Sequence, residues 1–284
     1  MSEIISGKAL SAKIKAQVGE RARDFEAKFG RKVGLAVVRV GSDPASVIYV
    51  RNKVIACEEC GVTSFSHVLP DSATQAEVIE LVKQLNADDK VDGILVQLPL
   101  PKHIDERAVL AAIEPKKDAD GFHVVNAGKL FLGERDGNVA CTPRGIIELI
   151  KSTGVRIEGK HAVVVGRSNI VGKPVAALLL ADNATVTVCH SKTQGLGAIT
   201  STADILVVAV GKKNFITANM VKRGAVVIDV GMNRDDDGLF GDVDYNGVKD
   251  VAGYITPVPG GVGPMTVAML IQNTVDSAWS GVNE

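Results

Sequence analysis

The chain of 284 residues carries 32 basic and 33 acidic residues, and a formal net charge of −1 gives no general attraction to nucleic acid or acidic membranes. Its length suits about two domains with ordinary cores, and the expected partner is a small molecule. No apolar run approaches the ~18 residues of a membrane span, and the start Met-Ser-Glu-Ile-Ile-Ser-Gly-Lys lacks a basic region followed by a long apolar stretch, so a soluble, cytoplasmic protein is expected.

Leu10, Ile14, Val18, Ala22 and Phe25 recur every three or four residues and predict a helix over Ala9 to Phe29. Val33 to Val40 reads as a strand. Ser42, Asp43 and Pro44 then supply a cap and an N-terminal proline for a helix from Ala45 to about Cys60, on which Tyr49 and Lys53 share a face. Cys57 and Cys60 close that helix before Gly61. A zinc site would want a second pair, and a thioredoxin-like motif would open a helix rather than end one, so two reduced structural cysteines and no metal are expected.

Thr63 to Leu69 reads as a strand, Thr74 to Asn86 as a helix and Gly93 to Leu98 as a strand. Such alternation argues for a parallel sheet with helices on both faces, whose ligands bind beyond the C-terminal strand ends. Gln97 lies near such an end, and Lys53 belongs to the helix after an earlier strand, Val33 to Val40, so both can face one crevice. A short helix over Glu106 to Ile113 precedes a charged loop, Lys116 to Phe122, that contains Asp120. Cys141-Thr142-Pro143 marks a helix start, with Thr142 as cap and Pro143 at the first helical position, and the first domain boundary is placed here.

Beyond it, strands at 161–165, 184–189, 205–210 and 225–230, a last one near Tyr254 and Ile255, and four helical connections make a doubly wound unit. Its first turn is the most informative. Ala162 to Val165 reads as a buried strand broken by Gly166, and a helix follows Ile170, with Gly172 allowing close packing; a helix start of this kind receives a pyrophosphate on its N–H groups and dipole. The usual Gly-x-Gly-x-x-Gly is not met, because Ser168 holds the second glycine position and the last glycine comes one residue late. About twenty residues past Gly166, where an NAD site keeps a carboxylate for the ribose, the strand ends in His190, Ser191 and Lys192. Arg167, Ser191 and Lys192 can bond a 2'-phosphate, so the composition favours NADP over NAD, although Lys192 alone also reads as a solvated loop lysine.

The tail runs Thr256-Pro257-Val258-Pro259-Gly260-Gly261-Val262-Gly263-Pro264, a rigid loop whose backbone can approach a ligand closely or merely join domains, before a helix over Met265 to Ala278. Singly, the candidate residues have plain readings too: Tyr49 and Lys53 as an exposed helix pair, Gln97 satisfying a strand end, Asp120 closing a turn.

Taken together, the strings resemble the bifunctional methylenetetrahydrofolate dehydrogenase/cyclohydrolases. They are Val-Gly-x-x-Pro-Ala-Ser-x-x-Tyr-Val (Val40 to Val50) with Lys53, Asp-Gly-Ile-Leu-Val-Gln-Leu-Pro-Leu-Pro (Asp92 to Pro101), Lys-Asp-x-Asp-Gly-Phe-His (Lys117 to His123) and Cys-Thr-Pro-x-Gly (Cys141 to Gly145). Gly-Arg-Ser-x-Ile-Val-Gly-x-Pro (Gly166 to Pro174), Val-Ile-Asp-Val-Gly (Val227 to Gly231) and Pro-Val-Pro-Gly-Gly-Val-Gly-Pro-Met-Thr (Pro257 to Thr266) complete the set.

The resemblance implies an α/β protein of two domains flanking a cleft: residues 1–140 with 265–284 forming a folate-binding catalytic domain and 141–264 a Rossmann-type NADP domain. It implies NADP-dependent oxidation of 5,10-methylenetetrahydrofolate, hydrolysis of the 5,10-methenyl cation to 10-formyltetrahydrofolate, and a homodimer. Tyr49 would stack on the folate, Lys53 would be the acid/base group with Gln97 positioning it, and Asp120 would hold the pterin edge. Leu98, Pro99, Pro259, Gly260, Gly261 and Val262 would complete the substrate site, and Gly166, Arg167, Ser168, Ile170, Val171, Ser191 and Met232 would line NADP. The rival readings are a silent NADP-binding module and a dehydrogenase without cyclohydrolase; Lys53, Gln97 and Asp120 argue against the first, Lys53 against the second.

Overall fold

The computed structural model describes residues 2–134, 136–235 and 238–282. The chain divides into two compact units, Met1–Ser11 with Thr142–Thr266, and Ala12–Cys141 with Val267–Glu284.

In chain order, β1 (Glu3–Ile4) and α1 (Gly7–Phe29) lead to β2 (Gly34–Val40), α2 (Pro44–Cys60), β3 (Thr63–Leu69), α3 (Gln75–Ala87) and β4 (Gly93–Val96). α4 (Glu106–Ala111), α5 (Val124–Leu132) and α6 (Cys141–Ser152) follow. β2 is flanked by β3 and β4 in an all-parallel sheet. Its continuous apolar run is what a strand covered on both faces requires, and Val38, Val40, Ile94 and Val96 meet Val78 and Val82 of α3 in the core. The helix starts are written in side chains: the Asp43 carboxylate accepts from Ser46 N–H at 2.8 Å, and Thr74 and Glu77 form a reciprocal capping box on α3. Gly61, at φ +72°, ends α2 in the left-handed conformation that glycine adopts without penalty.

The other unit holds β5 (His161–Val165), α7 (Gly172–Ala181), β6 (Thr185–Cys189), α8 (Leu196–Thr200), β7 (Ile205–Val208) and β8 (Val226–Asp229). A hairpin of β9 (Asn233–Asp235) and β10 (Gly238–Phe240), then α9 (Tyr245–Val248), β11 (Tyr254–Ile255) and α10 (Val262–Gly281) complete the chain. The six-stranded sheet has the order β1-β11-β8-β7-β5-β6 and every pairing in it is parallel. Because β5 pairs with both β6 and β7, the strand order reverses beside it, the crevice where doubly wound sheets bind ligands.

Several local expectations are corrected. The N-terminal residues, grouped by the sequence reading with the chain up to 140, contribute β1, which pairs with β11 through Glu3–Tyr254 and Ile4–Ile255. Thr142 is not a cap: α6 starts one residue earlier, and the Thr142 hydroxyl lies 2.9 Å from that of Thr266. α10 begins at Val262 rather than Met265, since Pro264 falls in the first turn, where no N–H is required. Of the four helical connections only α7 exceeds two turns, and between β7 and β8 there is a single 3-10 turn, Ala218–Met220.

Candidate active site

α2 carries Tyr49 and Lys53 one turn apart, with Tyr49 exposed and Lys53 half-buried. The register Val38–Val96 sets Gln97 just beyond β4, where its N–H donates to Val38 O at 2.8 Å. The Gln97 amide is oriented by its own donor end: Nε2 donates to Leu98 O at 2.7 Å, which turns Oε1 toward Lys53 Nζ at 3.0 Å. An ammonium held by a neutral amide keeps donors free for a substrate, whereas a carboxylate partner would have bound it as an ion pair. Leu98–Pro99 is a cis peptide, and Pro99 is exposed.

Asp120 stands on a loop fixed by side chains that periodicity does not reveal. The buried Asp118 carboxylate accepts from Gly121 N–H at 3.1 Å, His123 N–H at 2.8 Å and Asn126 Nδ2 at 2.9 Å. Asn273 of α10 donates to Ala119 O and Val139 O, both at 2.9 Å. Gly121, at φ +74°, lies against the backbone of Val139 and Ala140, where a Cβ would collide. Although part of Asp120 remains accessible, burial of its carboxyl pushes the pKa up to about 6, opposed by the nearby Lys53 charge and reinforced by Asp118. The signal that existed was the Asp118-to-Gly121 spacing of an Asx turn; Asn273 had none.

In the other unit, Gly166 at φ +128° passes close to Ala209, and a Cβ there would run into the Ala209 carbonyl. A Cβ on Gly172 would run into the Gly166 carbonyl, so the strand end and the start of α7 approach as closely as backbones can. Ser168 Oγ accepts from Val171 N–H at 3.2 Å and Gly172 N–H at 3.4 Å, so the residue in the second glycine position closes the turn onto the start of α7, whose N-cap position is Val171. Arg167, Ser168, Asn169 and Ile170 form the exposed turn, with Val171 half-buried. Val165 pairs with Cys189, so Arg167 and Ser191, each two residues further on, leave the same end of the sheet. His190 accepts from Lys192 N–H at 3.1 Å and donates its own N–H to Thr193 Oγ1 at 2.9 Å, which leaves Ser191 and Lys192 exposed, with no carboxylate among residues 190–193 that end the strand. Met232 is 53 % exposed beyond β8. Val258–Pro259 is a cis peptide, Gly260 O accepts from Lys8 N–H at 3.0 Å, Gly261 is packed against Pro257 and Gly7, and Val262 is buried at the start of α10. The close-packed glycines and the carboxylate-free strand end fit a dinucleotide bearing a 2'-phosphate.

In Gly172→Ala the new methyl meets main-chain atoms that cannot rotate away. Melting should fall by several degrees, on the overpacking scale of about 1–3 kcal/mol, and NADP affinity should fall with it. Calorimetry and a thermal melt read both, and parental values in each would show that the turn tolerates more space than it displays.

The four cysteines are buried thiols outside any disulfide, and burial pushes Cys57 up to about 12. Among the described residues no group of three or more His, Cys, Asp or Glu could hold a metal, and no helix is long and apolar enough to cross a membrane.

Comparison with known proteins agrees with this geometry. The family described as "Tetrahydrofolate dehydrogenase/cyclohydrolase, catalytic domain" matches residues 5–120, and "Tetrahydrofolate dehydrogenase/cyclohydrolase, NAD(P)-binding domain" matches residues 140–281. The "Bifunctional protein FolD" of Delftia acidovorans is 57 % identical over 98 % of both chains. A crystal structure of the bifunctional FolD methylenetetrahydrofolate dehydrogenase/cyclohydrolase from Campylobacter jejuni is 49 % identical with a TM-score of 0.97, covering 99 % of this chain and 100 % of that one. The Trypanosoma brucei enzyme, solved with NADP cofactor and an inhibitor, is 40 % identical with a TM-score of 0.94, covering 100 % of this chain and 99 % of that one. The chain belongs to the tetrahydrofolate dehydrogenase/cyclohydrolase family.

Proposed function

We propose that Lys53, oriented by Gln97, carries the proton transfers of hydrolysis, and that Asp120 holds the pterin edge with Tyr49 stacked on the folate. Leu98, Pro99 and the loop Pro259 to Val262 form the rest of the substrate site, and Gly166, Arg167, Ser168, Ile170, Val171, Ser191 and Met232 receive NADP. As a FolD-type bifunctional enzyme the chain is a methylenetetrahydrofolate dehydrogenase and methenyltetrahydrofolate cyclohydrolase. The observation that carries the residue assignment is the Lys53–Gln97 hydrogen bond of 3.0 Å, within electrostatic reach of Asp120.

The chemistry divides cleanly. Oxidation at a carbon between two nitrogens leaves a cation that their lone pairs stabilise, so the chain needs only to align the substrate and no protein base. NADP, when bound, supplies the acceptor of the two electrons. Hydrolysis requires more. Water loses a proton as it attacks the methenyl carbon, the ring nitrogen gains one as its bond to that carbon breaks, and the hydroxyl left on that carbon releases its own proton to solvent as it becomes the formyl oxygen, so one group must take a proton and return it. Lys53 Nζ can do both when it starts as the free amine, becoming the ammonium that returns the proton, with Gln97 Oε1 accepting one of its N–H groups and holding it in place.

Mixing the protein with methylenetetrahydrofolate and NADP, and following methenyl absorbance as it forms and decays, tests both activities together. The same assay tests cofactor choice. Charge-assisted bonds from Arg167, Ser191 and Lys192 to a 2'-phosphate, at roughly 1.5–3 kcal/mol each, give NADP at least a ~10-fold advantage over NAD. Equal kcat/KM with both would sink that assignment. The proposed assembly is a homodimer, read directly by light scattering, and a cytoplasmic setting is supported by four buried thiols outside any disulfide.

A further inference from the structure

Two buried carboxylates in the NADP unit take no part in the chemistry described so far. Asp229 ends β8, inside the string Val-Ile-Asp-Val-Gly, and Asp242 follows the β9–β10 hairpin; Asp229 is 3 % and Asp242 0 % exposed. Asp242 has the more unusual surroundings. Its Oδ2 accepts from Val210 N–H at 2.6 Å and Gly211 N–H at 2.9 Å, and its Oδ1 from Lys212 N–H at 2.8 Å and Asn233 Nδ2 at 2.9 Å. Three consecutive main-chain N–H groups converging on one anion form a nest, with Gly211 at φ +66° giving the required curl.

Asp229 supports this arrangement from behind. Its carboxylate accepts from Gly231 N–H at 2.9 Å, Asp242 N–H at 2.8 Å and Val243 N–H at 3.0 Å, while its own N–H donates to Thr256 Oγ1 at 2.8 Å. Gly231 and Gly241 lie so close to these carboxylates that a Cβ on either would collide with them. A continuous strut therefore joins the segments just beyond β7, β8 and β11. In a doubly wound sheet the half of the ligand on this side of the switch point is opposite to the half served by β5, α7 and β6. With the 2'-phosphate end assigned to Arg167, Ser191 and Lys192, the β7–β8 side is left for the nicotinamide end. A free nest there would attract a phosphate, and Asp242 fills it with the protein's own anion.

We infer that Asp242 is a positioning residue for the dehydrogenase half-reaction: by occupying the Val210–Lys212 nest and gripping Asn233, it fixes the loops that orient the nicotinamide end of NADP, with Asp229 holding Asp242 in turn. This rests on the reading of the unit as an NADP site.

The protein's second activity supplies the control. In Asp242→Asn an amide NH2 replaces one oxygen and faces N–H donors, so the nest opens. Dehydrogenase kcat should fall ~10-fold or more, and calorimetry should show weaker NADP binding. Affinity for 2',5'-ADP, which lacks the nicotinamide end, should stay within about twofold of the parent, as should hydrolysis of methenyltetrahydrofolate without NADP. If 2',5'-ADP binding and hydrolysis fall in the same proportion as dehydrogenase, or if dehydrogenase is unchanged, the inference is overturned. Should Asp242→Asn not fold, Asn233→Ala removes one donor only; it should lower dehydrogenase about threefold at constant cyclohydrolase, and an unchanged ratio of the two activities overturns the inference equally. A parent protein that bound neither NADP nor 2',5'-ADP would instead refute the NADP reading itself.

Discussion

In Lys53→Met, cyclohydrolase activity should fall by about 100-fold or more, the usual weight of general acid–base catalysis, while dehydrogenase falls much less. Methionine keeps an unbranched stem of similar reach on α2, and Lys53 is only half-buried with a neutral partner, so little stability is at stake. The readout is methenyl absorbance after NADP is added: the parent shows little build-up, the variant an intermediate that decays at the uncatalysed rate. A second signature comes from electrostatics. The Lys53 charge favours ionised Asp120, so its removal leaves burial and the Asp118 charge unopposed, and the pH at which Asp120 ionises moves up from about 6. The residual dehydrogenase should therefore lose activity at higher pH than the parent as the solution is acidified. Parental hydrolysis in a folded variant would remove Lys53 from the mechanism; equal loss of both activities would make it a positioning residue.

The adjacency of Lys53 and Gln97 was legible because parallel register is a strong constraint. Once β2 and β4 are strands of one parallel sheet, their C-terminal ends and the helix after β2 must share a rim. Asp43 was equally readable because caps act over three residues, whereas Thr74, read as the first helical residue, is the cap one position before α3. The support of Asp120 was not legible. Asn273 reaches Ala119 across 154 positions of sequence, and a side chain bonding to a distant carbonyl leaves no periodic trace. β1 is only two residues long, and its pairing with β11 depends on a partner some 250 positions away. The start of α10 was concealed for a different reason: glycine and proline signal a loop by composition, yet both are tolerated in a first helical turn. Asp229 stood in a quoted string without a role, because its partners are backbone N–H groups of a later segment.

Asp120→Asn should lower function and raise stability at the same time, and pH separates the two effects. An amide keeps the shape of the carboxylate but offers one acceptor instead of two, and it loses the charge assistance of a bond to the pterin edge. Folate affinity should fall roughly 10- to 100-fold, from a loss of about 1.5–3 kcal/mol, and both reactions should fall with it because each needs the ring held still. NADP affinity should stay within about twofold, since Asp120 belongs to the other compact unit. Stability moves the opposite way. Burial raises the folded-state pKa from 3.8 to about 6, so between about pH 4 and pH 6 the folded protein holds a proton that the unfolded chain has released, and stability falls as pH rises through that window. A rise from 3.8 to about 6 corresponds to roughly 3 kcal/mol, reduced here to about 1–2 kcal/mol by the partial exposure of Asp120. The neutral amide avoids that cost. Thermal melts of parent and variant should coincide near pH 4 and diverge above pH 6, with Asp120→Asn the more stable. A variant that binds a folate analogue as tightly as the parent would withdraw Asp120 from the pterin, whereas one less stable at pH 8 would mean that the Lys53 charge outweighs the burial of the carboxyl.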